Sequence, residues 1–122
     1  MSEKELREYD RLKTMIQYIQ ENLAEELTVE QIAESALLSK SECLRCFRNA
    51  LRITPMRYVK QRRIEAASAL LLNTQQKIAD IGFACGFGDT SYFVKAFHDA
   101  KGMTPRAWRT EKSGIISSSD RR

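Results

Sequence analysis

Apolar residues recur along most of this chain at spacings of three and four, the period of helices that bury one face. The first stripe, Leu12, Met15, Ile16, Ile19 and Leu23, predicts a helix from about Leu6 to Leu23, with Glu8, Asp10 and Glu21 turned outward. Its expected job is to close the first core, and the polar residues 1 to 5 before it are expected to fray. Val29, Ile32, Ala33 and Ala36 mark a short helix to about Leu37, and Cys43, Cys46, Phe47, Ala50 and Leu51 mark the inner face of the next. The longest stretch runs from Thr54 to Asn73 through Tyr58, Val59, Ile64, Ala67, Leu70 and Leu71. Beyond it, Ile78, Ile81 and Ala84 or Cys85 predict another short helix. Tyr92, Phe93, Ala96, Phe97 and Ala100 predict a longer one, and a brief last helix reaches Trp108. The fold class is all-α, with about seven helices.

Start and stop residues sharpen these bounds. Thr28 with Gln31, and Ser39 with Glu42, have the form of capping boxes. Thr54 caps the long helix and Pro55 takes its first position, where a missing N–H costs nothing. Thr104-Pro105 opens the last helix in the same way. Gly86 and Gly102 suit helix ends, and Asp89 suits a helix start. At 1.5 Å per residue the long helix spans roughly 27 Å.

The two flanks of that helix repeat each other. Ser41–Pro55 moved forward by fifty positions falls on Ser91–Pro105, pairing Arg45 with Lys95, Phe47 with Phe97 and the chain's only two prolines with each other. Upstream the offset is forty-nine, so Ile32 meets Ile81 and Leu38 meets Phe87. Each copy reads as helix, turn, helix with a gap of a few residues, one supersecondary unit used twice. The expected organisation is an N-terminal helix plus first helix-turn-helix over 1–53, a connecting helix over 54–74, a second helix-turn-helix over 75–111 and a disordered tail over 112–122.

Charge divides along the same line. Residues 1–39 hold four basic and nine acidic side chains, net −5, whereas 40–122 hold sixteen and seven, net +9. From Lys40 to Arg63 there are eight basic residues and one acid, Glu42, a bias that favours a polyanion partner. No apolar run is long enough to span a membrane and no signal peptide opens the chain, so a cytoplasmic protein is expected. Three cysteines in a helical pattern argue against a disulfide framework.

These residues resemble the DNA-binding domain of AraC/XylS-type transcription regulators. The segment IADIGFACGFGDTSYFVKAFHDAKGMTPRAWR, residues 78–109, carries the likeness most specifically, supported by Tyr58, Arg63-Ile64, Ala67 and Leu70-Leu71. The resemblance implies two helix-turn-helix subdomains joined by a long helix, each placing its second helix in the major groove of double-stranded promoter DNA. It also implies contact with RNA polymerase, activation rather than repression, and a monomer reading two unlike half-sites in successive grooves about 34 Å apart. By repeat phase and the family's pattern, the base-reading positions are Lys40, Ser41, Leu44 and Arg45 in the first copy and Thr90, Ser91, Val94 and Lys95 in the second. Arg45 suits a bidentate contact to guanine, Leu44 and Val94 suit a thymine methyl or the core edge, and Lys95 lacks the rigid fork of arginine. Arg48, Arg57, Lys60, Arg62, Lys101 and Arg106 are the expected phosphate contacts. Arg63 is expected in packing or an internal ion pair.

Two positions depart from that pattern. Leu37 stands where the second copy has Gly86, and Arg52 where it has Gly102. A non-glycine residue in a left-handed conformation costs roughly 1–2 kcal/mol. Either the first copy tolerates that strain or its turns differ, and the first copy is expected to be the less stable half by hydrogen exchange.

Other signals carry less. Cys43 and Cys46 form a C-x-x-C, but within a helix and with no second ligand pair they read as core, so no metal or other cofactor is expected. His98 is the only histidine and aligns with Arg48. Tyr92, Phe93, Phe97 and Trp108 fall at helical spacing and read as core, with Tyr92 expected to be partly exposed. No nucleophile, base or metal constellation supports an enzyme. The competing readings are a helical protein-interaction module and the DNA-binding fragment of a longer ligand-sensing regulator.

Overall fold

The computed structural model describes the backbone of residues 1–120 and the side chains as far as Lys112. It contains α1 (Glu3–Glu21), α2 (Val29–Ser35), α3 (Lys40–Leu51), α4 (Pro55–Asn73), α5 (Ile78–Ala84), α6 (Thr90–Lys101) and α7 (Pro105–Asp120), with no strand among the described residues. The chain divides into two compact units, residues 1–62 and 63–122. The division falls inside α4, so the long helix gives its first half to one core and its second half to the other. Val59 is buried in the first and Ile64, Ala67 and Leu71 in the second.

In the first unit Leu12, Met15 and Ile19 of α1 close over Ile32, Ala33, Cys43 and Phe47. In the second, Ile81, Cys85, Phe87, Phe93, Ala96 and Phe97 pack with the α4 residues. The repeat extends to ring geometry. Phe47 meets Tyr58 edge-on at 5.8 Å, and the equivalent pair, Phe97 and Trp108, stands at 5.8 Å as well. Pro55 and Pro105 are both fully buried. Their helices start alike, with Thr54 Oγ1 accepting from the Arg57 N–H at 3.2 Å and Thr104 Oγ1 from the Ala107 N–H at 3.1 Å.

Several details differ from expectation. α1 starts at Glu3 because Ser2 and Glu5 form a reciprocal capping box, so residues 2 to 5 are helix start rather than frayed end. α2 stops at Ser35, and Leu37 lies beyond it with φ 60°. Ala50 and Ala100 are exposed, whereas Cys46 and Leu51 are half-buried. α7 passes Trp108 and remains helical to Asp120, because extending a capped helix is far easier than nucleating one. The stretch expected to be a disordered tail therefore enters α7, and its last two residues lie outside those described.

Both departures from the repeat adopt the left-handed conformation. Leu37 N–H donates to Glu34 O and Leu38 N–H to Ala33 O, both at 2.9 Å. Gly86 N–H donates to Phe83 O at 3.1 Å, and Phe87 N–H to Gly82 O at 2.9 Å. The two turns are the same helix-ending motif, in which a left-handed residue lets orphan carbonyls be satisfied. Arg52 ends α3 at φ 63°, as Gly102 ends α6 at φ 79°. The turns do not differ; the first unit accepts the strain.

Candidate nucleic-acid interface

α3 is held at its start by the second expected capping box: Ser39 Oγ accepts from the Glu42 N–H at 3.2 Å, and Glu42 Oε1 accepts from the Ser39 N–H at 2.9 Å. These bonds, with the cations Arg11 and Arg45 adding a smaller push, hold the Glu42 carboxyl below its ordinary pKa. α6 starts on Asp89, whose carboxylate accepts from the Ser91 N–H at 2.8 Å. Each helix turns its apolar side into its own core, Cys43 and Phe47 in one, Phe93, Ala96 and Phe97 in the other.

The opposite faces match. Lys40, Ser41, Arg45 and Arg48 are exposed on α3, with Leu44 half-buried among them. Thr90, Ser91 and Lys95 are exposed on α6, with Val94 half-buried. Leu44 and Val94 thus sit at the edge of the core and keep part of their surface in solvent, a position compatible with both roles considered for them. Lys40 reaches Glu30 of α2 at 3.7 Å, an exposed pair that a stronger anion displaces at little cost. His98 is exposed in the last turn of α6, as Arg48 is in α3.

The expected phosphate set separates into two kinds. Arg48, Arg57, Lys60 and Arg106 are exposed and Arg62 is half-buried. Lys101 is drawn inward: its Nζ donates to Glu65 Oε1 at 2.6 Å and lies 5.3 Å over the Trp108 ring. Its counterpart in the repeat is Leu51, so the lysine stem occupies a core-edge position and the ammonium is met by a carboxylate and a ring. Arg63 is half-buried, as expected for a packing role. Burial pushes its pKa down and the nearby Tyr92 acts in the opposite direction.

The sequence pattern missed two contributions. Arg109 of α7 donates from Nε to Leu71 O at 2.9 Å and from Nη2 to Thr74 O at 3.3 Å, satisfying carbonyls at the end of α4. Trp108 Nε1 adds a bond to Ser68 O at 3.3 Å. In the first unit, α1 comes alongside the outward face of α3. Glu8 and Arg11 line a water-sized crevice of about 60 Å³ with Glu42, Arg45, Cys46 and Asn49. The helical phase of Arg11, next to Leu12, was the available signal.

Burial pushes the Cys43 thiol up to about 11 and raises Cys46 and Cys85, which disfavours the nucleophilic thiolate. No group of three or more potential metal ligands occurs among the described residues, nor is any helix long and apolar enough to cross a membrane.

A family model described as a helix-turn-helix domain matches residues 32–111, from within α2 through α4 and the whole second repeat into α7. The chain belongs to the AraC/XylS type of helix-turn-helix domain. Among relatives of this AraC-type domain, the uncharacterized HTH-type transcriptional regulator YdeC of Bacillus subtilis is 37% identical over 103 residues, covering 84% of this chain and 35% of its own length. The HTH-type transcriptional activator RhaS of Klebsiella pneumoniae is 29% identical over 106 residues, with 87% and 38% covered. The chain thus spans about a third of the length of these curated relatives. A solved AraC-type regulator from Chromobacterium violaceum superposes with a TM-score of 0.80 at 28% identity, covering 84% of this chain and 92% of that one.

Proposed function

We propose that this AraC-type domain binds promoter DNA sequence-specifically and regulates transcription, with α3 and α6 as recognition helices entering successive major grooves. The observation that carries the reading is the duplicated outward face: Lys40, Ser41, Leu44 and Arg45 on α3, and Thr90, Ser91, Val94 and Lys95 on α6, each opposite a buried apolar side. Arg48, Arg57, Lys60, Arg62 and Arg106 supply phosphate contacts, which give affinity and register. Lys101 drops out of that set, since its ammonium already serves Glu65 and Trp108. The names of the RhaS relatives favour activation, and with it contact to RNA polymerase in the cytoplasm. The domain works as a monomer, because its two recognition helices differ and call for an asymmetric site. It carries no catalytic role.

Selection from a randomised duplex library of about 30 base pairs at physiological salt tests this, since specific binding should exceed non-specific by roughly 10³ or more. The expected product is one long asymmetric motif with two unlike halves about one helical turn apart. Arg45→Ala should then relax one half alone, at a cost of about 1–3 kcal/mol for the preferred base. A library that yields no enriched motif would sink the reading in favour of a protein-interaction module.

A further inference from the structure

The acidic segment 1–39 has only four cations, and all lie in the first three turns of α1: Lys4, Arg7, Arg11 and Lys13. Spacing of four and three places Lys4, Arg7 and Arg11 on one stripe along the edge of the buried face of Leu12, Met15 and Ile19. Lys13 falls on the far side of the helix. The stripe runs on the edge that meets α3, because Arg11 lines the crevice shared with Glu42, Arg45 and Asn49. A contact from the Cys46 thiol to Glu8 O at 3.7 Å fixes the approach of the two helices. Lys4, Arg7 and Arg11 are all exposed.

The geometry points to a phosphate-binding rail on α1: Lys4, Arg7 and Arg11 contact the DNA backbone beside the groove that α3 enters. This rests on the reading of α3 as a recognition helix. A helix seated in a major groove is bordered by phosphates, and an element lying alongside it must meet them with cations or be repelled. The acids near the stripe are Glu8 and Glu42 in the crevice and Glu3 and Asp10 further round α1. Glu42 gives one carboxylate oxygen to the cap of α3 and feels the Arg11 cation across the crevice, an exposed attraction that a DNA phosphate can outcompete. Such contacts carry no base information, so the rail adds affinity without changing the preferred motif.

The test compares the intact chain with the triple variant Lys4→Gln, Arg7→Gln and Arg11→Gln on the selected duplex across a salt series, with thermal melting to confirm folding. Glutamine keeps the helix propensity and touches no core residue. The slope of log affinity against log salt should become shallower by about 0.9 per lost contact, up to about 2.7 for three, with the same motif selected. Lys13→Gln should leave the slope alone. Should the triple variant melt early, Arg7→Gln by itself should still lose about 0.9. An unchanged slope would overturn the inference, as would an equal loss in Lys13→Gln or a flattened motif without a change in slope. Failure of the broader reading is distinct: there the unmodified chain selects no motif at all.

Discussion

The two halves run the same backbone through different residues, and the differences come in matched pairs. In the second unit Gly82 lies so close to Phe93 that an added Cβ would stand 2.6 Å from the ring. The equivalent residues of the first unit are Ala33 and Cys43, both buried in the first core. One unit combines no side chain with a large ring, the other a methyl with a small thiol. At the turns the balance tips the other way: the second unit has Gly86 and Gly102, while the first holds Leu37 and Arg52 left-handed. Leu37 also leaves 93% of its surface exposed. The comparison teaches that the motif demands a conformation and a volume, and that residue types are free wherever another residue makes up the difference.

The largest expected effect tests the volume exchange. Gly82→Ala should destabilise the second unit by about 1–3 kcal/mol, because the fully buried Phe93 ring, flanked by Phe87 and Phe97, would have to shift to admit the methyl group. Adding Phe93→Cys should recover part of that loss by recreating the pair found in the first unit. A double-mutant cycle on denaturation midpoints checks it, and strictly additive losses would mean that the two positions do not share one space.

A smaller effect should separate the turns. Leu37→Gly and Arg52→Gly each relieve about 1–2 kcal/mol of left-handed strain but loosen the unfolded chain by about 0.4–1 kcal/mol, so each should gain up to about 1.6 kcal/mol. Gly86→Leu runs the exchange backwards and should lose a similar amount in the second unit. Hydrogen exchange resolved by residue should place the gain in the first unit, which is expected to be less protected than the second in the unmodified chain. Glycine variants that lower stability would show that Leu37 or Arg52 makes compensating contacts.

Legibility followed the range of the interactions. The repeat, the capping boxes at Thr28 and Ser39 and both Thr-Pro starts are local rules, and the structure carries them out. The Ser2–Glu5 box obeys the same rule but precedes any apolar stripe, so periodicity hid it. Ala50 and Ala100 fit both an inner and an outer face, because a methyl group signals neither. The inward turn of Lys101 and the clamp of Arg109 on α4 depend on residues more than thirty positions away. Charge alone marked Lys101 for phosphate. The outward faces of α3 and α6 were legible because the repeat fixed their phase. The approach of α1 to Arg45 was not, since it depends on how two helices cross.

The smallest expected effect concerns the start of α3 and acid. Glu42 has its carboxyl held below the ordinary 4.5, chiefly by the backbone and hydroxyl of Ser39. A depressed folded-state value means that its contribution is complete above the unfolded value and is lost as pH falls through the lowered one. Protonation takes away the charge that favours the positive end of α3 and weakens the bond from the Ser39 N–H. Amide protection factors in the first turn of α3, which take out the fall of intrinsic exchange with pH, should therefore drop as the solution is taken below pH 4.5. Glu42→Gln should flatten that dependence, because glutamine preserves the reciprocal cap without a titrating group. The start of α4 is the internal reference, since it is capped by the Thr54 hydroxyl and has no acid in its first turn. If the Gln variant retained the same acid response at α3, the carboxyl of Glu42 would not be its source, and the electrostatic difference between the two helix starts would have to lie in Glu8 or Glu30 instead.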